Sequence, residues 1–337
     1  MGTTTIRAEH VGSLLRPAEL VAARAGFRRG AMTAERLREL EDAAATAALR
    51  LQEDAGMQVF TDGEVRRDDS MASVVEIGAP FYRRTPLSLA EARWLAGNAR
   101  GPYKITMASP TVAAGFWRPG VSSAVYPPPE DAVAAPAGIY RQDIADLLGA
   151  GVTWLQLDSP AYWATVGPEA ARMRRVQDLD GRLGHVIDTD NSLIRAARSH
   201  RPGVTVAMHF CRGNVRSAGS ALGGYEHIAE RVFGEVEVDR FLLGYDTERS
   251  GGFESLRFVP PTKTVVLGLV SSKVAELESV DALRRRIDEA SQYIPLEQLA
   301  LSPGCGFASA GQGNPLTVED QRRKLELVAE TARLVWG

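Results

Sequence analysis

Cysteine is scarce here, with two in 337 residues. That excludes a disulfide-stapled scaffold and fits a reducing compartment, so a cytoplasmic protein is expected. No apolar run approaches the ~20 residues of a membrane span. The N-terminal stretch Met1–Arg7 has no apolar signal core, so no membrane association is expected. Positive charge is not in excess. Lys and Arg total 39 against 42 Asp and Glu, for a net charge of −3, which leaves no basic surface to advertise nucleic acid. A G-x-G-x-x-G after the first apolar run is missing too, which removes the usual sign of a dinucleotide-binding fold.

What is present is an alternation. Eight short apolar runs read as strands: Thr4–Ala8, Gln58–Thr61, Tyr103–Met107, Val152–Leu157, Val204–Met208, Arg240–Tyr245, Lys263–Val270, and a last one beginning at Leu299 that carries Cys305. Helical spacing separates most of them. Thr33 reads as an N-cap for a helix closed by Gly56. Further helices are expected over 138–148, 183–200, 223–233, 279–294 and 318–336. Strands alternating with helices predict a parallel sheet, and eight such units in one chain predict a (β/α)8 TIM barrel, α/β in class, as a single domain over 1–337. Two stretches resist this pattern. Residues 71–101 read as irregular, and 115–136, with Tyr126-Pro-Pro-Pro129, reads as a long loop that either covers a site or meets a second barrel in a homodimer.

The chemistry-bearing residues follow the strands. Ser13, Glu64, Ser109, Asp158, His209, Cys211, Asp246, Lys273 and Cys305 all fall at or just past C-terminal strand ends. In a barrel those ends converge on one mouth, where active sites lie. His209-x-Cys211 is the most pointed of these features. Residues i and i+2 of a strand share a side, so an imidazole and a thiol would be presented together. With Cys305 they make one nitrogen and two sulfur donors, a set suited to Zn²⁺. A free Cys is also commonly just a small buried hydrophobe, and Asp158 before Ser-Pro could serve as a turn former.

In these residues the chain resembles the catalytic barrel of cobalamin-independent methionine synthase, and more closely the short single-barrel members of that superfamily. His10-Val-Gly12-Ser13 resembles the family's first-strand Gly-Ser. Asp62-Gly63-Glu64-x-x-Arg67-x-Asp69 resembles its Gly-Glu segment, and Gln156-Leu-Asp158-x-Pro160 its Ile-Asp-Glu-Pro segment. His209-x-Cys211 and Pro303-x-Cys305-Gly306 resemble its zinc ligands. The resemblance implies a Zn²⁺ enzyme, like 5-methyltetrahydropteroyltriglutamate–homocysteine S-methyltransferase. Such an enzyme activates a small-molecule thiol, homocysteine in the family, for attack on a methyl donor, folate or corrinoid, giving methionine. It implies that Ser13, Glu64 and Asp158 hold the amino acid, and Ser109 is placed with them. Asp158 and Lys273 form the expected catalytic set. His209, Cys211, Cys305 and Asp246 form the expected metal set. Two departures stand out. The family's fourth ligand is a Glu, and here the sixth strand offers Gly244 in one alignment and Asp246 in another, with Glu248 nearby. The seventh strand of the long enzymes ends in an acid His, whereas Leu269–Lys273 has none. Zinc-dependent alkyl transfer of the epoxyalkane–coenzyme M transferase kind, a specialised biosynthetic enzyme, and a non-catalytic barrel that binds a thiol or a corrinoid protein are the alternatives.

Overall fold

The computed structural model describes residues 5–67, 77–162, 179–210, 224–247, 250–308 and 315–337. Six parallel strands run in sequence order: β1 (Ile105–Ala108), β2 (Trp154–Asp158), β3 (Thr205–Phe210), β4 (Arg240–Gly244), β5 (Thr264–Val270) and β6 (Leu299–Pro303). Two further expected strands are reduced to single parallel bridges, and they close the ring. Ala8 bridges to Leu301 of β6, and Phe60 bridges to Tyr103 just ahead of β1. Gln58 N donates to Ala8 O at 3.1 Å and so joins the two bridging segments. All eight expected strand positions are thus occupied, and a closed barrel leaves no free edge.

The helices lie outside: α1 (Ala18–Arg28), α2 (Ala34–Asp54), α3 (Leu89–Asn98), α4 (Pro129–Gly149), α5 (Leu179–His200), α6 (Glu226–Glu235), α7 (Val280–Ala290) and α8 (Val318–Trp336). Thr33 caps α2 by accepting from Arg36 N, and Gly56 follows it with φ of 81°, as its sequence predicts. Two expectations need correction. Residues 71–101 are not all irregular, because α3 occupies their last part. The loop expected to run to Pro136 gives way to helix at Pro129. Pro at the first helical position loses no intrahelical bond, and Glu130 and Asp131 suit the positive end of the helix dipole. Pro136 is accommodated inside α4. One 3₁₀ turn, Pro110–Phe116, leads into that stretch and another, Ser122–Ala124, lies within it, with Tyr126 stacked on Phe81.

A large apolar core fills the space between strands and helices, and a smaller one, Val11, Ala207, Leu242, Val266 and Ala300, lies apart from it. Each strand residue of the smaller cluster is two positions from residues that face the mouth, so this cluster is the barrel's inner layer. On the same inward rows toward the strands' N-terminal ends sit three buried charges. Glu9 Oε2 accepts from Lys104 Nζ at 2.8 Å, and Glu9 Oε1 accepts from Arg240 Nε at 2.9 Å. Beside them His10 Nε2 meets Gln52 Oε1 at 2.8 Å, and Gln52 in turn donates to Ala48 O and Thr61 O.

Burial, reinforced by the Lys104 charge, pushes the His10 pKa down to about 3. The imidazole therefore folds neutral, while in the unfolded chain it takes up a proton near pH 6.5. The unfolded state binds more protons between those values, so His10 costs stability progressively as pH falls below about 6.5. The expected size at pH 5 is about 2 kcal/mol. Urea midpoints of the wild type and His10→Gln, compared at pH 7.5 and pH 5, check this: the gap should move in favour of the variant at pH 5. A gap that stays constant would mean that the folded imidazole takes up its proton normally.

Candidate active site at the barrel mouth

Asp158 and His209 are direct register partners across β2 and β3, on the inward rows that also carry Gln156 and Ala207. Their side chains meet at the mouth, with His209 Nδ1 3.3 Å from Asp158 Oδ1. Gln156 Nε2 ties this carboxylate down, donating to Asp158 Oδ1 at 2.9 Å and to Val11 O at 2.6 Å. Burial alone would push the His209 pKa down. The Asp158 carboxylate and the Cys305 sulfur at the ring's edge reverse that and hold it up at about 10. His209 and Cys305 are both nearly fully buried.

Glu64 approaches from the second strand position. It is the non-glycine residue among those described with positive φ, at 54°, and Asp62 Oδ1 holds the turn by accepting from Glu64 N at 2.9 Å. A left-handed residue of this kind stores strain, which is typical where a side chain must be aimed. Its Oε1 accepts from Thr106 Oγ1 at 2.7 Å. Gly12 makes this possible, because a Cβ there would stand 2.5 Å from Glu64 Oε1. Burial raises the Glu64 pKa, Arg67 opposes, and the Asp158 charge raises it further. Thr106, which holds Glu64, is the register partner of Gln156, which holds Asp158, so the two carboxylates are carried side by side. Two carboxylates beside a buried imidazole and sulfur suit a ligand with one cationic group and one soft donor.

The remaining expected residues divide. Ser13 is buried against the loop after β6: its carbonyl accepts from Phe307 N at 2.9 Å, and its hydroxyl is 3.4 Å from Ala308 N. Ser109 is turned away from the mouth, its hydroxyl bonded to Asp190 Oδ1 at 2.6 Å. Asp246 packs over Gly304, where a Cβ would come within 2.6 Å of its Cγ, and so lies one residue from Cys305. Its carboxylate is taken by Lys273, at 2.9 Å. Asp246 and Lys273 are thus brought together as an ion pair. Gly244, the other alignment's candidate, is an inward position of β4 against Gly268 of β5. Cys211, Glu248 and Asp69 lie outside the described residues. Thr106 is absent from the residues expected at the site, while Arg67 and Gln156 stand there only as parts of motifs with no role assigned. Gln156 carried a usable signal, being two positions before Asp158 on the same strand.

Among the described residues, no three His, Cys, Asp or Glu side chains gather closely enough to hold a metal. The donors that are described nevertheless fit one. Neither His209 ring nitrogen makes a well-aligned hydrogen bond although both are buried, and a thiol stands beside them. An imidazole and a sulfur side by side are donors of the kind zinc takes.

A cavity of about 470 Å³ adjoins the Glu64 side of the site, at Thr106 and Arg67. Phe81, Phe116, Tyr140 and Met107 supply apolar walls. Two of its arginines are neutralised: Arg67 pairs with Glu91, and Arg83 with Asp143 and Asp146.

Residues 123–326 match the family described as cobalamin-independent synthase, catalytic domain. The chain is also 34% identical to YxjH of Bacillus subtilis, an uncharacterised protein, with 98% of this chain and 94% of that one aligned. The chain belongs to this synthase family. YxjG of the same organism, likewise uncharacterised, is 36% identical over the same shares. A solved protein from Listeria monocytogenes, named as a candidate vitamin-B12 independent methionine synthase, superposes with a TM-score of 0.76 at 29% identity over the whole of both chains. The fold and the resemblance expected from the sequence agree with these findings. In barrels of this kind active sites lie at the C-terminal strand ends, and Asp158 and His209 stand at two of those ends.

Proposed function

We propose that this member of the synthase family transfers a methyl group from a small-molecule donor to a thiol, homocysteine above others, with Zn²⁺ held by His209, Cys211 and Cys305. The observation that carries the reading is the meeting of a buried imidazole and a sulfur with two carboxylates, Asp158 and Glu64, at one mouth. A zinc ion bound there supplies the positive charge that lowers a thiol's pKa into the neutral range. The chain's own residues do the rest. Glu64 and Asp158 receive the ammonium of the amino acid, which orients its sulfur toward His209 and Cys305. Thr106 fixes the Glu64 carboxylate, and Gln156 fixes that of Asp158. The aromatic cavity beside Thr106 has room for the donor. No helix of the described residues is long and apolar enough to cross a membrane, which suits a cytoplasmic setting for such soluble substrates.

One observation favours a different donor as a second reading. The segment just after β5 carries Lys273, whose ammonium is engaged by Asp246. No histidine stands in or just after that strand, and histidine is the side chain that most readily delivers a proton near neutral pH.

The test is metal content followed by cobalt substitution and titration with homocysteine. We expect about one metal per chain, lost in Cys211→Ser and in Cys305→Ser, and a new sulfur-to-metal absorption band when homocysteine is added. Full metal content in both variants would overturn the ligand set. Metal bound with no change on adding homocysteine would overturn the thiol.

A further inference from the structure

Asp190 lies in the middle of α5, in the outer layer, yet it is fully buried. A carboxylate in that position is costly unless it is bonded on several sides. Three hydroxyls supply those bonds. Ser109 donates to Asp190 Oδ1 at 2.6 Å, Tyr162 donates to Oδ2 at 3.0 Å, and Ser159 Oγ reaches Oδ2 at 3.4 Å. All three donors are themselves fully buried. Thr111 links the two serines, 2.6 Å from Ser109 Oγ and 3.3 Å from Ser159 Oγ.

The backbone of the same two serines reaches the site. Ser109 N donates to the carbonyl of Asp158 at 2.8 Å, and Ser159 N donates to the carbonyl of His209 at 2.9 Å. Each serine follows its strand as the first residue of a Ser-Pro corner. Asp190 therefore grips, through their hydroxyls, the two residues that hold the main chain of the facing pair. An ionised carboxylate only accepts, so every hydroxyl around it must point inward, and the corners cannot turn independently. Burial raises the Asp190 pKa, and the three hydroxyl bonds oppose this and leave it at about 6, so the group is charged at neutral pH.

We propose that Asp190 is a positioning residue: from the outer helix layer it locks the Ser109 and Ser159 corners and so sets the 3.3 Å approach of Asp158 to His209. The inference rests on the proposed function only in taking Asp158 and His209 for site residues.

The experiment uses the metal-free full chain with ¹⁵N-labelled histidine, so that it reads geometry independently of zinc. Asp190→Asn keeps the size of the side chain but replaces one acceptor oxygen with a donor. The His209 ring resonances, assigned by their loss in His209→Gln, should shift in this variant, while those of His10, bonded to Gln52 on the far side of the barrel's inner layer, stay in place. Asn191→Ala is the control. It lies on the same helix, but its amide holds Glu235 O and Glu237 N, so it should lower the melting temperature without moving His209. A folded Asp190→Asn with unshifted His209 resonances would overturn the proposal, as would an equal shift in Asn191→Ala. If Asp190→Asn fails to fold, Ser159→Ala, which deletes only one hydroxyl, takes its place with the same two outcomes. Failure of the wild type to bind cobalt would count against the zinc reading and leave this result standing.

Discussion

Glu9→Gln is expected to destabilise the barrel by about 3–5 kcal/mol, the usual loss when one partner of a buried ion pair is removed. Glu9 and Lys104 are wholly buried, and Arg240 nearly so. With the carboxylate gone, two cations face each other inside the barrel with a neutral amide between them. Burial alone would raise the Glu9 pKa, but Lys104 and Arg240 outweigh it and hold the carboxyl down at about 2. The stabilisation is therefore complete above the unfolded carboxyl value of about 4.3 and is lost as pH falls from there toward 2. Chemical denaturation at pH 7 reads the loss directly. A triple replacement of Glu9, Lys104 and Arg240 by Met separates the cost of an unpaired charge from the worth of the triad. An apolar set of similar volume should recover most of the loss, because desolvating three charged groups is itself expensive. A change below about 1 kcal/mol in Glu9→Gln would put the triad with solvated surface pairs instead.

The barrel was legible because its signal is periodic and repeated. Eight apolar runs separated by helical spacing admit few architectures, and the runs stand where the strands and bridges lie. The first two runs shrink to bridges because pairing depends on neighbours, which apolar content alone does not report. The helix at Pro129 was obscured by three consecutive prolines, although the first position of a helix accepts that residue without losing a bond. At the site, the period of two placed His209 on an inward row. That it faces Asp158 depends on register between strands about fifty residues apart, and no local pattern encodes register. That Lys273 and Asp246 meet is written in neither segment, since an ion pair between residues after different strands appears only in three dimensions. Asp190 carried no signal. Within Asp188-Thr-Asp190-Asn it reads as the wet face of a helix, and its burial comes from the serine corners folding over it.

Asp158→Asn is expected to produce two losses that can be measured separately. As the partner of a metal-bound imidazole, Asp158 would orient the ring and raise its basicity, and removing such a partner typically costs 10–100-fold in metal affinity. As the receiver of an ammonium group it would contribute a charge-assisted bond of roughly 1.5–3 kcal/mol, so the KM for homocysteine should rise about 10- to 100-fold in protein kept saturated with zinc. The geometry allows both roles. One oxygen, Oδ1, meets His209 and Gln156, and about a quarter of the side chain, 25%, remains open to solvent. Asparagine can still accept from Gln156, so the carboxyl position is preserved and the charge alone is changed. Gln156→Leu makes the complementary change, keeping the charge while freeing its position, and should weaken both properties by less. If zinc affinity falls while KM stays at the wild-type value, Asp158 serves only the imidazole, and Glu64 alone meets the ammonium. If KM rises with zinc affinity intact, the 3.3 Å contact with His209 plays no part in holding the metal. Wild-type values for both would remove Asp158 from the site, and with it the argument that the β2–β3 register pair is where this barrel does its chemistry.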